Sequence, residues 1–529
     1  MYRVLISDTL SEEGIEILKR NPAVEVDVKT KLTPDELKEI IKNYDGLVVR
    51  SATKVTADVI ECADNLKVIG RAGIGLDNVD APAASKRGIV VMNTPGGNTI
   101  TTAEHAIAMM FSLARQIPQA TGSMKSGKWE KSKFMGAEIY NKTLGIVGIG
   151  RVGSIVADRA LGLKMHVIAY DPFMSPEGAE KMGITLVSID ELLAKSDFIS
   201  IHTPMTKETR GMINTAAFEK MKKGVFIINC ARGGIVNEKD LYEALVSGKV
   251  AGAALDVFEE EPTKNTELVS HPNLICTPHL GASTDEAQKN VAIAVAEQIS
   301  DYLSTGEIRN AVNFPSVSGE VLAVIRPYLV LAEKLGKFQA LMAKGGIEEV
   351  HVEYSGEILE RDVAPITIAM LKGLLEPFLN ENVNYVNAPI LAKERGIRII
   401  ESKSSEVKDF TSMIALTVRA GNEKSYAAGA IFGRQDPRIV RIDDFTLEVM
   451  PEGNMLILYN NDRPGVIGNV GSILGANGTN IARLQLSRQK VNGEKHALIV
   501  LSTDGPVSNT VINKLKTLPN LISVKQIEI

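Results

Sequence analysis

The chain has 529 residues, 44% apolar, 23% charged and 5% aromatic, with a formal net charge of -5 and a sequence pI near 6.0. That length exceeds the roughly 100 to 200 residues of an ordinary core, so about three or four domains are expected. The slightly acidic balance argues against a nucleic-acid surface, and no apolar run approaches the roughly 20 residues needed to cross a bilayer.

From the N-terminus, short β-branched runs alternate with helical patterns. Strands are predicted at residues 4–6, 46–49, 68–71 and 90–92, and helices near 12–19, 34–42 and 79–87. Such alternation predicts a parallel sheet with crossover helices. After the turn Pro95-Gly96-Gly97-Asn98, a long buried helix is predicted at 101–116. A second series follows, with strands at 143–147, 166–170, 198–202, 224–229, 252–256 and 274–276. These six short strands predict a complete dinucleotide-binding sheet. Residues 285–305 repeat Ala and Val at helical spacing and are expected to return the chain to the first lobe. The cleft between the two lobes is then the natural ligand site.

From 315 to 450 the pattern is mixed, with helices near 321–337 and 366–379 and strands near 347–354, 397–401 and 413–419. Past Pro451-Glu452-Gly453 the order becomes strand, helix, strand, strand, helix, strand, a ferredoxin-like module. Cys62, Cys230 and Cys276 form no C-x-x-C pair, so neither a disulfide framework nor a metal site is expected. The start of the chain enters a strand without an export-signal pattern, and a cytoplasmic setting is expected.

The motif Gly148-Ile149-Gly150-Arg151-Val152-Gly153 directly follows a strand and opens a helix. Its glycines let the backbone turn tightly and approach a pyrophosphate at the helix N-terminus. The next strand ends in Asp171, about 20 residues on, where a carboxylate binds a ribose 2′-hydroxyl and repels a 2′-phosphate. NAD is therefore expected rather than NADP.

Oxidation of a 2-hydroxy acid needs a carboxylate clamp, a base for the hydroxyl proton and a partner that orients the base. Arg232 stands at a strand end, and its fork can hold a carboxylate bidentately. His279 follows the last strand, and Glu261 can accept from the other ring nitrogen and favour the imidazolium. Singly, His279 also fits a satisfied core histidine, Arg232 a surface ion pair and Glu261 a solvated acidic run. Jointly, behind a dinucleotide unit, they fit a catalytic set.

Together, Gly-Ile-Gly-Arg-Val-Gly, Cys-Ala-Arg-Gly-Gly at 230–234, Asp-Val-Phe-Glu-Glu-Glu-Pro at 256–262 and Thr-Pro-His-Leu-Gly-Ala at 277–282 resemble the D-2-hydroxyacid dehydrogenase family. The resemblance spans roughly residues 1 to 310. It implies Arg232 on the substrate carboxylate, Glu261 as orienting acid and His279 as proton acceptor. It also implies NAD near Arg151, Val152, Thr203, Asp256, Gly281 and Ala282; with Gly148, Gly150, Gly153 and Asp171 of the motif, and Cys230 and Ala231, these make up the expected cofactor set. Within the family, Arg50-Ser51, Ala72-Gly73 and Asn98 resemble the set of the phosphoglycerate enzymes. That likeness implies Arg50 and Ser51 at a phosphate and the backbone N–H groups of Ala72 and Gly73 at the carboxylate.

Trp129, the single tryptophan, lies among lysines. It suggests either plain surface packing or a subunit contact that brings Lys131 or Lys133 near a partner's site, in a homodimer or homotetramer. Residues 454–529 resemble an ACT domain, an amino-acid-sensing module. Asn460, Asp462 and Asn480 would then hold an effector, with serine expected. A dimerisation module that binds nothing is the alternative. Residues 315–450 resemble the intervening domain of the longer family members. The basic group Arg434, Arg438 and Arg441 there fits an anion site or a solvated face.

The expected fold class is α/β, with two doubly wound parallel-sheet lobes, a Rossmann NAD domain and a flavodoxin-like substrate domain. An α+β intervening domain and a ferredoxin-like ACT domain complete it. The expected bounds are 1–98 with 283–310 for substrate, 99–282 for NAD, 311–451 for the intervening domain and 452–529 for the ACT domain. The expected activity is oxidation of 3-phosphoglycerate by NAD at the entry to serine synthesis. A glycerate-type 2-hydroxyacid dehydrogenase and a non-catalytic NAD-dependent sensor are the alternatives.

Overall fold

The computed structural model describes residues 1–315, 319–379, 383–404, 410–491 and 494–529. The first lobe is a five-stranded parallel sheet in the spatial order Val24–Val28, Tyr2–Ile6, Gly46–Val49, Val68–Arg71, Val90–Met92. In chain numbering this is 2-1-3-4-5, the flavodoxin-like order. The edge strand Val24–Val28 escapes the sequence reading because it is mostly solvated and alternates valine with acidic residues.

The helix Asp285–Thr305 lies against this sheet, where Val291, Val295, Ile299 and Leu303 share one core with Val4, Ile6 and Val68. It also crosses the helix Glu12–Arg20 at Gly14, where a Cβ would stand 2.7 Å from the Ala292 carbonyl oxygen. Two segments distant in sequence thus build one core. Each large apolar side chain buried there stabilises by roughly 1.5–3 kcal/mol.

The second lobe is a parallel sheet of seven strands, one more than the sequence reading allows. Its order is Thr185–Leu186, His166–Tyr170, Thr143–Val147, Phe198–Ile201, Val225–Asn229, Val250–Leu255, Leu274–Cys276. The extra strand, Thr185–Leu186, is two residues long and carries too little pattern to be read. The strand order reverses between Thr143–Val147 and Phe198–Ile201, which opens a crevice at their C-terminal ends. The chain crosses between the lobes twice, once into the helix Thr99–Arg115 and once into Asp285–Thr305. The two crossings touch where Thr101 Oγ1 lies 3.3 Å from Thr284 Oγ1.

Beyond them, a six-stranded mixed sheet runs in the order Arg398–Ser404, Glu349–Gly356, Ser412–Ala420, Glu423–Phe432, Asp436–Ile442, Phe445–Val449. Glu423–Phe432 and Asp436–Ile442 escape the sequence pattern because Tyr-Ala-Ala-Gly-Ala in one and a proline in the other blur the β signal. The helices Gly319–Met342 and Ala364–Leu375 cover one face and cross at Gly336 and Gly373. A Cβ there would stand 2.1 Å from the Met370 oxygen and 1.9 Å from the Glu333 oxygen.

The C-terminal sheet has the ferredoxin-like order Ile481–Val491, Glu494–Thr503, Asn454–Asn461, Leu521–Glu528. Its Met455, Ile457, Leu498, Val500 and Ile527 join the core of the preceding unit. Toward the first lobe, Asn384 Nδ2 donates to the Gly88 oxygen at 2.9 Å and Lys86 pairs with Glu394 at 3.0 Å. Among the described residues, no helix is long and apolar enough to cross a membrane.

Candidate active site

The glycine turn occupies the switch-point crevice. Gly148 has a left-handed φ of 94°, and a Cβ on it would stand 2.7 Å from Thr203 Cγ2. At Gly153 a Cβ would stand 2.0 Å from the Gly148 oxygen, so this glycine lets the helix Arg151–Gly162 pack onto the turn. Asp171, at the next strand end, accepts from the N–H of Ile149 at 2.7 Å and of Phe173 at 2.8 Å. A carboxylate offers about four acceptor sites, so capacity remains for a diol.

Nearby, Thr203 Oγ1 is buried without a partner and faces the cleft. Burial pushes the His202 imidazole down to about 4, so it is neutral at physiological pH. A helix N-terminus, an unpaired hydroxyl and cleared glycine positions fit a dinucleotide.

The cleft continues between the lobes as a cavity of about 340 Å³. The second lobe contributes Arg151, Val152, Thr203, Cys230, Ala231, Arg232, Asp256, His279, Gly281 and Ala282, and the first contributes Arg71 and Asn98. Gly148, Gly150 and Gly153 form the turn that delivers Arg151 to it.

His279 has a left-handed φ of 55°, and its Nδ1 lies 2.7 Å from Glu261 Oε2. The hydrogen bond to Glu261 raises the His279 pKa against the opposing pull of burial. The Glu261 and Asp256 charges add to the rise, and Arg232 subtracts from it. Burial pushes the Glu261 carboxyl up, but its contacts with His279 and the Phe258 N–H hold it below its ordinary value.

Arg232 sits in a turn fixed by Asn229, which donates to the Arg232 oxygen at 2.9 Å and accepts from the Ala231 N–H at 3.0 Å. Its Nε lies 3.2 Å from Asp77 of the first lobe, and its Nη1 donates to the Ala231 oxygen at 2.7 Å. The guanidinium lies so close to Gly75 that a Cβ there would stand 2.2 Å from Nη2.

Three groups of expected site residues are placed differently from the arrangement the sequence suggests. First, the Ala72 N–H is spent on the Val49 oxygen at 2.8 Å, and the Gly73 N–H on Thr94 Oγ1 at 2.7 Å. Neither is a free donor for a carboxylate. Gly73 matters sterically instead, because a Cβ would stand 1.6 Å from Arg71 Nη1.

Second, Arg50 and Ser51 line a neighbouring recess of about 310 Å³ with Ser7, Asp8 and Lys31 rather than the cleft itself. Asp8 accepts from the Arg50 N–H at 2.6 Å, and Arg50 Nη1 donates to the Thr9 oxygen at 3.2 Å.

Third, the suggested effector residues do not meet within one chain. Strand register puts Asn461 opposite His496, whereas Asn454 and Ile481 both lie opposite Thr503. Asn460 and Asp462 therefore stand roughly 20 Å from Asn480 at about 3.3 Å per residue. Asn480 donates to Asp504 at 2.8 Å, and Asp462 lies 3.4 Å from Arg488.

The sequence reading passed over Arg71. Its Nε is buried without a partner, and it borders the cleft beside Arg232. Burial, followed by the charges of Arg232 and Arg50, lowers it to about 10 against Asp77 and Asp8. The available signal was its place at a strand end before a glycine-rich turn, as with Arg50 one strand over. Asn98, 8% exposed, also has an unpartnered Oδ1 at the cleft.

Trp129 is 82% exposed. Arg438 pairs with Asp436 at 2.6 Å, and Arg441 borders a recess of about 610 Å³ with Lys424, Glu353, Asp443 and Asp444. That recess is larger than the cleft and mixed in charge. The His279–Glu261 hydrogen bond beside Arg232 and the glycine turn, not volume, distinguishes the cleft.

Residues 107–281 match the family model of the D-isomer specific 2-hydroxyacid dehydrogenase NAD binding domain. Residues 324–443 match the D-3-phosphoglycerate dehydrogenase intervening domain, and residues 454–520 match the ACT domain. D-3-phosphoglycerate dehydrogenase of Archaeoglobus fulgidus is 46% identical over 528 residues, covering 100% of both chains. That of Bacillus subtilis is 42% identical over 529 residues, also covering 100% of both. The solved D-lactate dehydrogenase of Aquifex aeolicus, complexed with NAD and lactic acid, is 29% identical at a TM-score of 0.53. The match covers 59% of this chain and 100% of that one. On its full-length identity to these relatives, the chain belongs to the D-3-phosphoglycerate dehydrogenase family, with an NAD-binding second lobe.

Proposed function

We propose that this chain oxidises 3-phospho-D-glycerate to 3-phosphooxypyruvate with NAD, the first step of L-serine synthesis. The observation that carries this reading is His279, held 2.7 Å from Glu261, in one cleft with Arg232 and with Arg151 and Val152 of the dinucleotide turn. NAD supplies the hydride acceptor when bound.

The protein's own groups do the rest. Arg232 clamps the substrate carboxylate, displacing part of its contact with Asp77. His279 Nε2 takes the hydroxyl proton as the C2–O bond becomes a carbonyl, and Glu261 stabilises the resulting imidazolium. Arg71 serves the phosphate dianion from the cleft side and Arg50 with Ser51 from the adjoining recess. Lobe closure would carry Arg232 and His279 of the second lobe toward these first-lobe groups over the substrate.

The substrate lobe is residues 1–98 with 283–310, the NAD domain 99–282, the intervening domain 311–451 and the ACT domain 452–529. The ACT domain takes serine as effector. Antiparallel pairing of the edge strand Ile481–Val491 with its copy would carry one chain's Asn480 toward the other's Asp462. Self-association, with Trp129 at a second contact, and a cytoplasmic setting complete the reading.

NADH formation from 3-phosphoglycerate and from glycerate tests the substrate. A kcat/KM at least about 100-fold higher for the phosphorylated acid is expected from several charge-assisted contacts. Equal values would remove the phosphate from the reading.

A further inference from the structure

His105 is drawn into the site from outside the cleft. It lies on the helix Thr99–Arg115, one turn past the first crossing between the lobes. Its Nε2 is 3.3 Å from Asp256 Oδ1 and 3.2 Å from Thr277 Oγ1, and its side chain is 19% exposed.

Asp256 is the anchor of the turn that carries His279. Its carbonyl oxygen accepts the His279 N–H at 2.9 Å. Its carboxylate, 1% exposed, accepts the N–H groups of Leu280 at 2.7 Å and Gly281 at 2.8 Å and the Thr277 hydroxyl at 2.5 Å. An ionised carboxylate that deep needs its acceptor directions filled. Burial pushes it up, and the contacts from His105, Thr277, Leu280 and Gly281 overcome that push.

The turn then runs directly into the second crossing, where Thr284 touches Thr101. Motion of the first lobe about these crossings therefore pulls on the turn that holds the proton acceptor. We infer that His105 is a positioning residue for the reaction: it ties the hinge helix to Asp256 and Thr277 and so fixes the His279 turn during closure. This rests on the reading of His279 as proton acceptor. His105 itself touches neither substrate nor cofactor in this role. A displacement of a reacting group by about 1 Å costs up to roughly 100-fold in rate, so the tether has measurable leverage.

The test is a double-mutant cycle on the full-length protein, with NADH binding by fluorescence and thermal melting recorded for every variant. His105→Leu removes the ring N–H, and His105→Gln retains a donor. The Leu variant should lose roughly 10- to 100-fold in kcat, with the KM for 3-phosphoglycerate and NADH affinity within about threefold. The Gln variant should recover most of the rate. In a His279→Ala background, adding His105→Leu should change the remaining rate less than about twofold, because the tether has nothing left to aim.

The inference is overturned by a Leu variant as fast as the parent, by a Gln variant as slow as Leu, or by equal losses in both backgrounds. A loss confined to NADH affinity would also overturn it, assigning His105 to the cofactor site. Full turnover in His279→Ala alone would instead sink the proton-acceptor reading, whatever His105 does.

Discussion

At His279, backbone and ring are held by different partners: Asp256 fixes the turn and Glu261 the imidazole. Oxidation needs the neutral ring, and reduction needs the protonated one. Because Glu261 raises the His279 pKa, oxidation should climb with pH through a value above the ordinary imidazole range of about 6.5. Reduction should fall over the same interval. Glu261→Gln removes the main raising influence, so both limbs should move to lower pH in kcat/KM profiles. An unmoved profile would remove Glu261 from that role. The positions of Arg232, Glu261 and His279 were legible because each sits in a short motif beside a strand end. The Ala72 and Gly73 N–H groups were misjudged because their acceptors, Val49 and Thr94, lie on other segments. Arg71 escapes for a related reason, since only the fold brings it to the cleft and leaves its buried Nε without a partner.

Among the elements, the close crossing of Glu12–Arg20 with Asp285–Thr305 depends on Gly14. In an open helix, Gly→Ala gains up to about 1 kcal/mol of propensity. Here a Cβ at 2.7 Å from the Ala292 oxygen forces the helices apart, and overpacking costs about 1–3 kcal/mol. The clash should win, so Gly14→Ala lowers the melting temperature. Gly162→Ala, with nothing within 4 Å of its Cβ, should not. Equal melting of both variants would contradict the packing. Elements with a strong period or a flanking glycine turn were readable from sequence. Thr185–Leu186 was too short, Val24–Val28 is a solvated edge, and Glu423–Phe432 is rich in small residues.

For the whole molecule, the parallel alternation in the first 300 residues and the final βαββαβ order were plain in the pattern, whereas register was not. Register is what separates Asn480 from Asp462 within a chain, so a site that used both would need a second copy. Trp129, 82% exposed, belongs at such a scale too. Trp129→Ala should reduce the mass measured by light scattering or weaken activity, and no change in either would remove it from self-association. The central claim is that one cleft holds both the proton acceptor and the dinucleotide, and His279→Ala tests it most directly. Turnover of 3-phosphoglycerate should fall by roughly 10²- to 10⁴-fold while NADH still binds. Turnover at the parent rate with NADH bound would contradict it.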